Sequence, residues 1–166
     1  IRAASFLQKS GGPVRGERKE PVMPSPFPHH YDVQVSSGSE GAILAGGRRP
    51  VIVGGPPPEF DGRPEWWSPE HLLLSAAGLC LMTTFQAFAA RAGLRVEGYE
   101  SRVDGVLDKA PGGLGFTSIA ITVDLRVAEA DRTRAEQLLQ SAKRHCIVAN
   151  SLKTPVELHI VVLATR

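Results

Sequence analysis

SPEHLLLSAAGLCLMTTFQAFAARAG, the run from Ser68 to Gly93, is the stretch on which the fold turns. Ser68 offers a side-chain oxygen to free backbone N–H groups, Pro69 suits a first helical position, and Glu70 sits favourably at the positive end of a helix dipole. Gly93 suits the stop, so the run predicts one helix to about Ala92. Within it the nineteen residues Leu72–Ala90 carry no formal charge, long enough to cross a bilayer. Ser75, Gly78, Thr83, Thr84, Gln86 and the many alanines suit a helix buried on all sides in protein better than one solvated by lipid.

Upstream of this helix, Tyr31, Val33 and Val35 alternate with Asp32, Gln34 and Ser36, the period of a half-buried strand that begins near His29. A turn at Ser37–Gly41 and two short strands, Ala42–Ala45 and Pro50–Val53, complete a small antiparallel meander. Downstream, Leu94–Leu107 and Leu114–Val127 flank the loop Asp108–Gly113 and predict a long hairpin. Asp131 then caps a second helix with an apolar face of Ala135, Leu138, Leu139 and Ala142, and Lys143, Arg144 and His145 occupy its negative end. Pro155–Leu163 is the last strand, with Val156, Leu158, Ile160 and Val162 on one face. The order βββ-α-ββ-α-β, with strands and helices segregated, predicts an α+β fold with antiparallel sheet.

The 166 residues, 42% hydrophobic and 22% charged, fit one soluble domain that needs neither a disulfide framework nor a structural metal to hold a core. The net charge of +2 is concentrated in residues 1–28, which hold five basic and two acidic residues, so nucleic-acid binding by the body is not expected. The same segment holds five of the thirteen prolines and no apolar run of seven, and is read as a flexible N-terminal arm without a secretory signal. Residues 29–166 form the domain. With no signal and only two cysteines, a cytoplasmic location is expected.

Cys80 and Cys146 form no CxxC and provide too few soft ligands for a structural zinc. His29-His30 are read as surface residues rather than as ligands beside Cys146, and Trp66-Trp67 either line an apolar channel or staple the helix entry. Cys80 lies deep in the uncharged helix. Cys146 lies beside His145 at a helix end, where a thiol can be exposed and electrostatically tuned. Glu70 precedes Cys80 by ten residues, about 15 Å along a straight helix, so the two cannot meet within one chain. If two copies of the helix cross antiparallel about a two-fold axis near Ser75, Glu70 of one falls opposite Cys80 of the other, with Ser75, Ala76, Ala77 and Gly78 as the small residues at the crossing.

The run from Trp67 to Cys80, followed by His145-Cys146-Ile147-Val148, resembles the two-cysteine signature of the OsmC/Ohr family of hydroperoxide reductases over about residues 30–165. The resemblance implies an intertwined homodimer with sheets wrapped around central helices, acting as a cytoplasmic thiol peroxidase without metal, flavin or other cofactor. Cys80 is then the peroxidatic thiolate that attacks an organic hydroperoxide, and Cys146 the resolving thiol that closes an intrachain disulfide. An external dithiol of lipoyl type reduces it, and no nucleic acid or membrane takes part.

In the family the acid matched by Glu70 holds an arginine near the peroxidatic sulfur. Here Ser39 stands where that arginine is expected, and Ile147 replaces a proline that often follows the second cysteine. A lone carboxylate beside a sulfur disfavours the thiolate. Arg48, Arg49 and Arg63 are the candidates to fill the role, the first two reading equally as solvated turn residues. Two function classes follow: an organic-hydroperoxide peroxidase, or a protein of the same fold with weak or no peroxidase chemistry that acts as a small-molecule or lipid-like binding or redox-sensing dimer.

Overall fold

A computed structural model describes residues 27–38 and 41–165. Most of the expected N-terminal arm, Ser39 and Glu40 lie outside the described residues. The chain divides into two compact units between Asp32 and Val33. In the first, Phe27 and His29 meet edge to face at 4.6 Å.

The second unit opens with β1 (Gln34–Gly38), β2 (Gly41–Ala45) and β3 (Ile52–Gly54), an antiparallel sheet in that order. The first strand is shorter than its alternation predicts, and the side chains of Tyr31, Val33 and Val35 are exposed. The apolar side of an alternating strand is buried only where another layer covers it, and none of the described residues covers this one. The Trp66 indole packs over Gly55. Backbone bonds from Gly55 N–H to the Trp67 carbonyl (3.1 Å) and from Trp67 N–H to the Val53 carbonyl (3.4 Å) pin the sheet to the residues that enter the long helix.

That helix, α1 (Pro69–Arg91), has the boundaries its sequence predicts. The Ser68 hydroxyl accepts the His71 N–H at 3.2 Å, and Gly93 follows with φ of 63°, a left-handed conformation that favours glycine. One face, Ala77, Leu81, Phe85 and Ala89, is buried. The opposite face is not buried among the described residues of one chain: Ser75, Ala76 and Leu79 are exposed, Leu79 by 58%.

The buried face of α1 packs on a second sheet, β4 (Gly98–Ala110), β5 (Gly113–Ala128) and β6 (Val156–Thr165). β4 and β5 pair antiparallel through a two-residue turn, Pro111-Gly112, tighter than the six-residue loop expected, with Gly112 and Gly113 at positive φ. Along β5 every second residue, Ile119, Ile121, Val123, Leu125 and Val127, is buried. β6 departs from the expected antiparallel sheet. It pairs with β5 in parallel, Ile119 opposite Val156, because the chain between them runs back along the sheet as α2 (Arg132–Arg144) and a short α3 (Ile147–Asn150). Ala135, Leu139 and Ala142 of α2 join the core. Asp131 precedes α2 without a side-chain cap bond. The result is mixed α+β, with the expected element order plus α3.

Candidate functional site

Cys146 occupies the N-cap position of α3, where the chain leaves α2 through His145. A helix end can leave a thiol exposed, but Cys146 is only 1% exposed. The bend into α3 turns its Sγ into the core, 3.9 Å from the carbonyl of Ala77 on α1. His145 is held elsewhere: its Nδ1 donates to the Ser141 carbonyl at 2.8 Å and its ring meets Phe88 edge to face at 5.4 Å.

Cys80, the half-buried cysteine in the middle of α1, is the neighbour of the Cys146 thiol. Both cysteines are free. Burial pushes the Cys146 thiol up from 9.0 to about 11; backbone N–H groups of Ala149 and Val148 pull the other way, and the neighbouring Cys80 sulfur adds to the rise. Tyr99 on β4 is a neighbour the sequence did not reveal: burial raises its phenol above the ordinary value, and the charge of a Cys146 thiolate adds a further upward push.

Glu70, in the first turn of α1, is half-buried, and its Oε2 is fully enclosed with no hydrogen-bond partner among the described residues. It faces a cavity of about 500 Å³ whose other polar lining includes Ser68 and His71. The Ser68 hydroxyl lies 2.8 Å from His71 Nδ1. The cavity was not foreseen, since its walls come from the hairpin end of β4 and β5, where the apolar alternation points away from the core.

Of the arginines considered as replacements, Arg49 donates to the Gly46 carbonyl of its own turn at 3.0 Å, and Arg63 stacks over Trp66 at 5.2 Å. Arg48 is exposed. None is recorded as a partner of Glu70, and Ser39 lies outside the described residues. Among those residues no group of three or more His, Cys, Asp or Glu is placed to hold a metal. Trp66 is packed and Trp67 half exposed. The small residues of α1 divide by face: Ala77 is buried within the protomer, and a Cβ on Gly78 would stand 2.8 Å from Val103 of β4, so these two serve the chain's own sheet rather than a crossing between copies.

A family model described as OsmC-like protein matches residues 62–161, a span that holds Glu70, Cys80 and Cys146. The chain is 26% identical to the uncharacterized protein YmaD of Bacillus subtilis over 63% of its own length and 72% of that protein. It is 28% identical to peroxiredoxin OsmC of Escherichia coli over 60% of its length and 68% of that protein. Among solved structures, an OsmC-like protein of Vibrio cholerae superposes with a TM-score of 0.73 at 20% identity, covering 80% of this chain and 99% of that one. An organic hydroperoxide resistance protein of Elizabethkingia anophelis gives 0.66 at 13% identity, covering 84% and 100%. At these identities the structural likeness speaks for the fold.

Proposed function

Because the chain belongs to the OsmC-like protein family, we propose that it is a cytoplasmic, cysteine-based peroxidase that reduces organic hydroperoxides to alcohols. The observation that carries this reading is the pair of neighbouring free thiols, Cys80 half-buried on α1 and Cys146 buried at the edge of α3.

In the first step the Cys80 thiolate attacks the distal oxygen of the hydroperoxide. The O–O bond breaks, the alkoxide takes a proton and leaves as the alcohol, and Cys80 becomes a sulfenic acid, oxidised by two electrons. In the second, the Cys146 sulfur attacks the Cys80 sulfur; the S–S bond forms, the S–O bond breaks, and the hydroxyl departs as water with the Cys146 proton. Adjacency removes the need for a second protein in this step. An external dithiol, lipoyl-type by family resemblance, then reduces the disulfide.

The working form on this reading is a homodimer. The exposed face of α1, the exposed valines Val35 and Val53 of the first sheet and Val51 just before β3 are apolar surface that a soluble monomer rarely leaves uncovered, and this supports the assignment. An antiparallel crossing of two α1 helices brings Glu70 of one copy toward Cys80 of the other. A second reading, a binding dimer with little peroxidase chemistry, draws support from the cavity beside Glu70 and from Ser39 in the place of the family arginine.

Titrating the reduced protein with cumene hydroperoxide separates the two. Loss of both thiols per equivalent, with an 80–146 disulfide mapped by mass and no reaction in Cys80→Ser, is the peroxidase outcome. Thiols that survive excess peroxide would leave the binding protein in its place.

A further inference from the structure

The cavity at the start of α1 combines two properties that differ in kind. Phe60, Leu74, Leu107, Leu114 and Phe116 give it apolar walls, enough for a ligand of some eight to ten carbons within its roughly 500 Å³. Its charged lining is unbalanced: the carboxylates of Glu59, Glu70 and Asp108 share the space with one ammonium, Lys109, and with His71. Asp108 Oδ1 accepts the Lys109 backbone N–H at 2.6 Å, which fixes that carboxylate at the hairpin rim.

Glu70 Oε2 adds a directional demand. A buried carboxylate oxygen without a donor is costly, and a ligand that brings an O–H relieves that cost. A neutral hydroperoxide supplies the donor and adds no charge. A ligand with an ionised carboxylate brings a further negative charge to a lining whose three carboxyl groups outnumber its one ammonium.

We propose that this cavity is the substrate pocket and that it selects uncharged alkyl or aryl hydroperoxides over those bearing an ionised carboxylate. The identity of the reacting group rests on the peroxidase reading and on the proposed crossing that brings Cys80 of a second copy toward Glu70, since Cys80 of the same chain does not line the cavity; the selection by charge rests on the cavity alone.

The test has a binding arm and a reaction arm. In the first, reduced isotope-labelled protein is titrated at neutral pH with 1-octanol and with octanoate while the amide signals of Phe60, Leu107 and Phe116 are followed. The expected result is a Kd for octanol at least about tenfold below that for octanoate, with the ratio narrowed in Glu59→Gln/Asp108→Asn and widened in Lys109→Gln. Equal or tighter binding of octanoate overturns the proposal, and so does the absence of shifts with both ligands. In the second arm, thiol loss is followed with a long-chain hydroperoxide bearing a free carboxylate and with its methyl ester. Faster reaction of the ester supports the proposal, and faster reaction of the free acid overturns it. Thiols inert to both peroxides, while octanol still outbinds octanoate, overturn the peroxidase reading and leave the charge selection standing.

Discussion

The Cys146 thiol, at the N-terminal edge of α3, neighbours Cys80 in the middle of α1, and burial holds that thiol in its protonated form up to about pH 11. The unfolded chain lacks this burial and ionises the same group near 9.0. The folded state therefore binds the proton more tightly. The stability from this linkage is fully present below the unfolded value and is lost as pH rises through the folded one, an effect of about 2 kcal/mol. Urea midpoints of the reduced protein at about pH 8 and about pH 11 should show this loss, and Cys146→Ala should lack that share of it. An equal decline in both proteins would sink the assignment.

The two thiols should separate cleanly in their mutants. Cys146→Ser is expected to accumulate a sulfenic acid on Cys80 after one equivalent of cumene hydroperoxide, trapped by dimedone and weighed by mass spectrometry. Cys80→Ser should leave Cys146 unmodified over the same time, since that sulfur is enclosed beneath Ala77. Rapid labelling of Cys146 in that variant would reverse the order of the two roles.

Phe85 is fully buried where α1 meets the second sheet and stacks on Tyr99 at 5.8 Å. Phe85→Ala should cost about 3–5 kcal/mol of stability by the lost transfer energy and the space left behind. A denaturant midpoint unchanged within error would show that the core closes elsewhere.

Adjacent residues on α1 should fail in different ways. Gly78→Ala places a Cβ 2.8 Å from Val103 and should destabilise the protomer by about 1–3 kcal/mol, less what alanine gains in helix propensity. Leu79→Glu alters only exposed surface within a protomer, yet puts a charge where two copies are proposed to meet. Sedimentation should then find a monomer mass with an unchanged circular dichroism spectrum; a persistent dimer mass would place the interface elsewhere.

Ser68 is buried and serves both the His71 N–H and the His71 ring. Ser68→Ala should cost about 0.5–2 kcal/mol through the lost cap, while Ser68→Asp, which can still accept the N–H, should recover part of it in thermal melts.

The ends of α1 were legible because capping chemistry is local: Ser68, Pro69 and Gly93 act within one turn of their own position. The core face of β5 was legible for the same reason, since alternation states which side is buried. It does not state which strand lies alongside or in which direction, so the parallel pairing of β6 was hidden. The burial of Cys146 was hidden because α3 is four residues long, too short to show a period. Val35 is exposed although its alternation records a face to be covered, and none of the described residues supplies the cover. Glu70 and Cys80 were picked out by their singularity in an apolar run, but the cavity beside Glu70 arises from tertiary proximity of the hairpin end, which no spacing in the sequence encodes.

The parallel placement of β6 also orders events in time. The β4–β5 hairpin joins neighbours in the chain and closes early, whereas β6 can align with β5 only after α2 and α3 have been traversed and packed. Cys80 also leaves the ribosome 66 residues before Cys146, its thiol neighbour in the fold. On the proposed peroxidase reading, a Cys80 oxidised in that interval has no internal route to a disulfide, and the reducing power of the surroundings has to protect it until Cys146 is made and packed.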